Sequence, residues 1–145
     1  DPTAFGSSYE EEILFEDDIW QTRLNSAYHQ DGNMTLYAEF EGKLVGLMGA
    51  GWSQRIKYSH VATIYSVYVT ASMRGKGIGS QLLQTLIDNL ATLPQIKKVN
   101  LTVTLDQTSA IALYEKFGFK RIGIAHQELQ IDGQFYDIYH MEKLL

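Results

Sequence analysis

Val67-Tyr68-Val69, then Arg74-Gly75-Lys76-Gly77-Ile78-Gly79-Ser80, then Leu82-Leu83, is the stretch on which the fold turns. Its first part carries the β-branched and aromatic residues of a strand. Its middle has glycine at every second position, and its last part opens an apolar stripe at helical spacing, Ile78, Leu82, Leu83, Leu86, Ile87 and Leu90. The reading is strand, loop, helix, with the helix over about 78–92 and closed before Pro94. Glycine in such a loop admits positive φ and lets backbone N–H groups approach an anion with no side chain in the way. The helix adds its own unsatisfied N–H groups and the positive end of its dipole. With Arg74 and Lys76 as mobile positive charge on the rim, the stretch predicts a phosphate or pyrophosphate cradle.

Outward from the loop the chain alternates strands and helices. Upstream, Ser59 to Val69 reads as a long strand, preceded by a hairpin of Met34 to Phe40 and Leu44 to Trp52 around a turn at Glu41-Gly42-Lys43. Gly46, Gly49 and Gly51 weaken the second hairpin strand and suggest a bulge or a close backbone approach there. Residues 9–30 are charged and helix-permissive, with Ile13, Phe15, Ile19, Trp20 and Leu24 near helical spacing and Asp17 and Asp18 as caps; a turn follows at Asp31-Gly32-Asn33. Downstream, Lys97 to Leu105 alternates Val99, Leu101, Val103 and Leu105 against polar neighbours, a strand at period two. A second helix runs from about Thr108 to Phe117 and ends at Gly118. Phe119 to Ile131 and Gln134 to Met141 flank Asp132-Gly133, the signal for a type I′ hairpin. Helices, three strands, helix, strand, helix and two strands make one α/β domain over 1–145 around a mixed sheet.

Composition narrows the function. With 145 residues, 45% apolar and 20% charged, the chain suits one globular domain with one core, and no apolar run approaches a membrane span. Cysteine is absent, which removes disulfides, thiolate zinc sites and a cysteine nucleophile; no metal is called for, and a cytoplasmic setting fits. A net charge of −5 does not suit nucleic acid and is compatible with cationic acceptors. Of the phosphate-binding motifs, the P-loop requires four residues between its glycines and then Gly-Lys-Ser or Gly-Lys-Thr, which is missing. The dinucleotide fingerprint requires Gly-x-Gly-x-x-Gly, whereas this loop is Gly75-x-Gly77-x-Gly79, and Asp88 comes too early for a ribose partner.

A third motif fits. Val67-Tyr68-Val69 with Arg74 to Ser80 resembles the acyl-CoA-binding motif of the GNAT superfamily, Arg/Gln-x-x-Gly-x-Gly/Ala, and Ala110 to Phe119, containing Leu113-Tyr114 and Gly118-Phe119, is similar to the family's second motif. The resemblance covers roughly residues 34–145 and implies a mixed, mostly antiparallel sheet flanked by helices, with a splayed central pair of strands that admits the pantetheine arm. It implies an N-acetyltransferase that moves an acetyl group from acetyl-CoA to a small-molecule or peptide amine. By the same resemblance, backbone groups of Val67, Tyr68 and Val69 hold the pantetheine, and Gly75, Lys76, Gly77, Ile78, Gly79 and Ser80 hold the pyrophosphate beside Arg74. Gln107 stands where the family often has an asparagine toward the pantetheine. Tyr114 matches the family's general acid for the leaving thiolate, as a phenol of ordinary pKa near 10.

The family's frequent glutamate base has no counterpart: its position is Thr63, with Tyr65 and Ser66 beyond, so His60, His140 and Asp137 are the candidates for a base acting through water. Ala71 and Met73 replace a frequent proline and aromatic ahead of Arg74. The family also has a first strand and part of a helix before the equivalent of Asp1, without which one sheet edge is unpaired and the acceptor site incomplete. Phe5-Gly6-Ser7-Ser8, Trp20 and Arg23 resemble a segment of many members without naming an acceptor, and Tyr28, Tyr136 and Tyr139 are expected to line its side. The rival expectation is a non-catalytic acyl-CoA sensor of the same fold, as a monomer or a homodimer.

Overall fold

A computed structural model describes residues 32–145. The helices expected within 9–30, the segment Phe5 to Ser8, and Trp20, Arg23 and Tyr28 lie outside the described residues. Six strands form one sheet in the order β1-β2-β3-β4-β6-β5: β1 Asn33–Phe40, β2 Lys43–Trp52, β3 Val61–Val69, β4 Lys98–Thr104, β5 Lys120–Ile131 and β6 Gln134–Leu144. Among the described residues there are two α-helices, α1 Ile78–Ala91 and α2 Thr108–Lys116, and a short 3-10 turn over Ala71–Met73. Only β3 and β4 pair in parallel; every other neighbour is antiparallel, as the resemblance implies. Among the described residues no helix is long and apolar enough to cross a membrane.

The core explains why both helices share one face. Leu82, Leu83, Leu86, Ile87 and Leu90 of α1 are buried against Met48, Ala50, Ala62, Ile64, Val99, Leu101 and Met141 of the sheet, and Ile111 and Tyr114 of α2 join the same cluster. Each fully buried leucine contributes about 1.5–3 kcal/mol of transfer free energy. The helices also meet each other, since a Cβ on Gly79 would lie 3.7 Å from Leu113 Cδ2. The sheet's other face carries Thr63 and Tyr65 from β3 and Asn100 and Thr102 from β4.

Two boundaries differ from expectation by more than one residue. β3 begins at Val61 rather than Ser59, because the chain turns through 58–60: the Val61 N–H donates to the Tyr58 carbonyl at 3.1 Å. β6 runs on to Leu144, paired with Lys98, so its last turns of pleat complete the edge of β4. Both hairpin turns are type I′ in sign, with Glu41 and Gly42 at φ 51° and 77° and Asp132 and Gly133 at 50° and 78°.

The bulge expected from the glycines of β2 is present beside Gly46, where Ala38 pairs with Gly46 and Glu39 with Leu44 so that Val45 is the extra residue, and a second bulge lies in β3. Leu47 pairs with Tyr68 and Gly49 with Tyr65, so Ser66 and Val67 together oppose Met48, and Ser66 takes φ 53°. The extra residue reverses the strand's parity. Before it, Ala62 and Ile64 face the helices; after it, Val67 packs on the helix-side core. The β2 glycines serve the close approach. A Cβ on Gly49 would lie 2.7 Å from Tyr65 Cε2, and one on Gly51 3.2 Å from Cε1, so the Tyr65 ring lies flat on glycine backbone.

Candidate active site

The gap between β3 and β4 is the first part of the site. Their parallel pairing covers only Val61 with Lys98, Ala62 with Val99 and Thr63 with Asn100. Beyond Thr63 and Asn100 the strands diverge, β3 staying with β2 through Val69 and β4 with β6 through Thr104. Val67, Tyr68 and Val69 therefore present backbone to an opening whose vertex is Thr63 and Asn100. The Asn100 Oδ1 is buried without a hydrogen-bond partner.

The glycine loop stands at the mouth of this gap, directly after β3. Gly75 and Gly77 take φ 76° and 82°, and a Cβ on either would meet nothing within 4 Å. Gly77 is the N-cap of α1 and supplies no side-chain cap, and the first turn holds no acidic residue. The first helical bond is from the Gln81 N–H to the Gly77 carbonyl at 3.0 Å; among the described residues, no backbone carbonyl accepts from the N–H groups of Gly75, Lys76, Gly77, Ile78, Gly79 or Ser80. A run of free donors at an uncapped helix start, with open space over two glycines, fits a pyrophosphate.

Several expected residues have further duties. Gly79 does not take positive φ and is already inside α1, where its missing side chain admits Leu113. Arg74 is exposed at the loop and is tethered there: its Nε donates to the Val69 carbonyl at 3.1 Å and ties the loop back to β3. Lys76 Nζ lies 3.9 Å from Met73 Sδ. Gln107 is the N-cap of α2 and holds that turn through its backbone, its N–H donating to Thr104 at 3.1 Å and its carbonyl accepting from Ile111 at 2.9 Å.

Tyr114 departs from its expected chemistry. It is 5% exposed, its ring stands edge-on to Phe119 at 6.0 Å, and burial pushes its phenol up to about 12 rather than leaving it near 10. The base candidates are dispersed. His60 is exposed ahead of β3, its carbonyl accepting from Lys97 and Lys98. His140 is exposed on β6 opposite Thr102. Asp137 is engaged elsewhere: it accepts from the Gln127 N–H at 2.8 Å and contacts His126 at 3.2 Å, and these bonds, the backbone one first, hold its carboxyl below the usual range. Tyr139 lies under the Arg121 guanidinium at 4.8 Å, and Arg121 pairs with Glu115, so this tyrosine is part of a clamp between α2 and β6.

Comparison with known proteins settles the lineage. The acetyltransferase (GNAT) family profile matches residues 3–119. The chain belongs to the GNAT family. A GNAT acetyltransferase of Streptococcus pneumoniae superposes with a TM-score of 0.88 at 28% identity, covering 97% of this chain and 84% of that one. An L-amino acid N-acetyltransferase of Escherichia coli is 29% identical over 128 residues, 88% of this chain and 76% of the relative. A spermine/spermidine N(1)-acetyltransferase of Bacillus subtilis is 31% identical over 99 residues, 66% of this chain and 62% of that relative. This GNAT protein is accordingly an N-acetyltransferase acting on an amine, and acetyl-CoA is the donor its family uses.

Proposed function

We propose that this GNAT protein transfers acetyl from acetyl-CoA to an amine by direct attack within a ternary complex, using the loop and the gap as its donor site. The observation that carries the reading is the run of N–H groups from Gly75 to Ser80 without backbone acceptors among the described residues, at the mouth of an opening lined by Val67 to Val69. The loop holds the pyrophosphate, and the backbone from Val67 to Val69 holds the pantetheine so that its reactive end points to the vertex at Thr63 and Asn100. Acetyl-CoA supplies an activated acetyl thioester. A backbone N–H of β3 stabilises the carbonyl oxygen as charge develops on it. The amine nitrogen forms the new C–N bond, the C–S bond breaks, and the sulfur leaves with the electron pair; the nitrogen then sheds its extra proton.

Tyr114 acts in this scheme as a hydrogen-bond donor to the leaving sulfur. With burial pushing it up to about 12, the phenol is a weaker acid than an alkyl thiol, so full proton transfer to the leaving sulfur is uphill. Donating a hydrogen bond keeps the proton on oxygen and still stabilises the thiolate. Thr63 carries no carboxylate, so the acceptor enters as the neutral amine or loses its proton to water.

Initial rates at varied acetyl-CoA and amine, with mass spectrometry of the protein under turnover, test the scheme. Intersecting double-reciprocal lines and no acetylated protein are expected. Parallel lines with an acetyl-enzyme would overturn direct attack.

A further inference from the structure

A cavity of about 440 Å³ opens beside the vertex of the gap, lined by Gly51, Trp52, Ser53, Arg55, Tyr58, Val61 and Thr63. Its size is that of a small-molecule site. Thr63 belongs both to this cavity and to the last pairing of β3 with β4, so the cavity adjoins the end of the gap where a thioester would lie. It lies at the opposite end of β3 from the glycine loop, which makes it an acceptor site rather than part of the donor cradle.

Its lining has a definite chemistry. The walls are aromatic and aliphatic, from Trp52, Tyr58 and Val61, and Gly51 carries the edge of the Tyr65 ring, whose Oη would lie 3.8 Å from a Cβ there. Among the described residues the one charged liner is Arg55, which forms no ion pair there, and none of the described liners is a carboxylate. In a chain of net charge −5, the segment 53–60 holds Arg55, Lys57 and His60 and no acid. The segment is built from successive turns that fix Arg55 and Tyr58: the Arg55 N–H donates to Ser53 Oγ at 3.1 Å, Tyr58 to the Arg55 carbonyl at 2.9 Å, and Ser59 Oγ to the Ile56 carbonyl at 3.0 Å. Outside the cavity but paired with its liner Thr63 on the neighbouring strand, Asn100 carries a buried Oδ1 with no hydrogen-bond partner.

The geometry points to an acceptor that carries a carboxylate as well as its amine, seated with the carboxylate on Arg55, an apolar or aromatic side group against Trp52 and Tyr58, and the amine toward Asn100 Oδ1 and the gap. This deepens the acetyltransferase reading and rests on it. A polycationic amine gains nothing from the described lining, because the guanidinium repels it and none of the described liners is an acid. An amino acid with a large apolar side chain matches all three features. The guanidinium can grip a carboxylate with two parallel hydrogen bonds, and that interaction is lost when the carboxylate is absent.

The test compares matched acceptors: phenylalanine, its carboxamide, 2-phenylethylamine and spermidine, each read as kcat/KM at saturating acetyl-CoA. The expected order places phenylalanine at least about tenfold above the other three. In Arg55→Gln the preference for phenylalanine over its carboxamide falls to within about threefold, through KM, with CoA affinity by calorimetry unchanged; Arg55→Lys restores part of it. Where turnover is too slow to read, the same acceptors titrated against the CoA-loaded protein give the preference as affinity. Equal use or binding of the carboxamide and phenylalanine, a preference for spermidine, or an Arg55→Gln variant that keeps the full preference would each overturn the proposal while leaving the donor site standing. Failure of the protein to bind CoA at all is a different result, and it strikes the acetyltransferase scheme on which the proposal rests.

Discussion

Replacing Gly77 by alanine adds one methyl group at a residue with φ 82° where nothing lies within 4 Å. The protein's own atoms therefore do not resist it, and the direct effect on stability is the backbone strain of a left-handed alanine, about 1–2 kcal/mol. For a chain of this size that lowers Tm by roughly 3–8 °C. The effect on donor binding is larger, because the open space is the space the cradle needs. A methyl group there pushes the pyrophosphate away from at least two N–H donors, each worth about 1.5–3 kcal/mol toward a charged acceptor. A loss of about 3–6 kcal/mol is a rise in Kd of roughly 10² to 10⁴. Gly133→Ala is the matched control: φ 78°, equally empty surroundings, and a position in the hairpin turn between β5 and β6. Calorimetry with CoA and thermal melts of both variants separate strain from occlusion. The two should melt alike and differ in affinity by at least about a hundredfold. If Gly77→Ala binds CoA within threefold of the unsubstituted protein, or if both variants lose affinity equally, the cradle is not where this account puts it.

Tyr114→Phe keeps the ring contact with Phe119 and removes only the hydroxyl, so turnover should fall about 10- to 100-fold with little change in the KM for acetyl-CoA; steady-state kinetics decide, and equal loss in donor affinity would mean the hydroxyl supports binding instead. The same variant tests the raised phenol. The folded state holds that proton up to about 12 while the unfolded chain releases it near 10, so stability from this group is fully present below pH 10 and is lost as pH rises to 12. Denaturant titrations should show the unsubstituted protein losing about 2–3 kcal/mol more than Tyr114→Phe across that window; parallel losses would place the phenol near its ordinary value. Since no carboxylate serves as base at Thr63, kcat/KM should rise with pH to the pKa of the acceptor amine and move with it across amines of different basicity. A rising limb fixed near a carboxylate or imidazole pKa would reveal a base missed here. Gly49→Ala forces the Tyr65 ring off the strand and should destabilise the fold by about 1–3 kcal/mol, an effect that shrinks in a Tyr65→Ala background; additive losses in the double variant would show that the ring has no part in it.

Helices α1 and α2 and most strands were legible because periodicity reports burial directly. The stripe from Leu82 to Leu90 and the alternation from Val99 to Val103 each describe a face that the structure buries. The glycine loop was legible because Gly75 and Gly77 do what only glycine does easily. The β3 bulge was not, because its positive φ falls on Ser66, a residue with no such signature, and its cause is a register shift against Met48. The β5 bulge around Gln127, at φ 53°, was hidden for a similar reason: its support is the Asp137 carboxylate on the neighbouring strand, remote in sequence. The same remoteness diverted Asp137 from a base to a structural bond. Arg74 was legible as a cation and not as a tether, since its partner is a carbonyl, which sequence patterns do not mark. The acceptor cavity draws on 51–63 as a folded turn, and only the fold shows that Arg55, Tyr58 and Thr63 face one space.

Backbone amide NMR during titration with CoA addresses the central claim most directly, because it reads the proposed donor site residue by residue. The largest shifts are expected on the N–H groups of Gly75 to Ser80 and of Val67 to Val69, with the β5–β6 hairpin turn at Asp132 and Gly133 unmoved. Saturable binding whose shifts bypass the loop and the gap would contradict the claim.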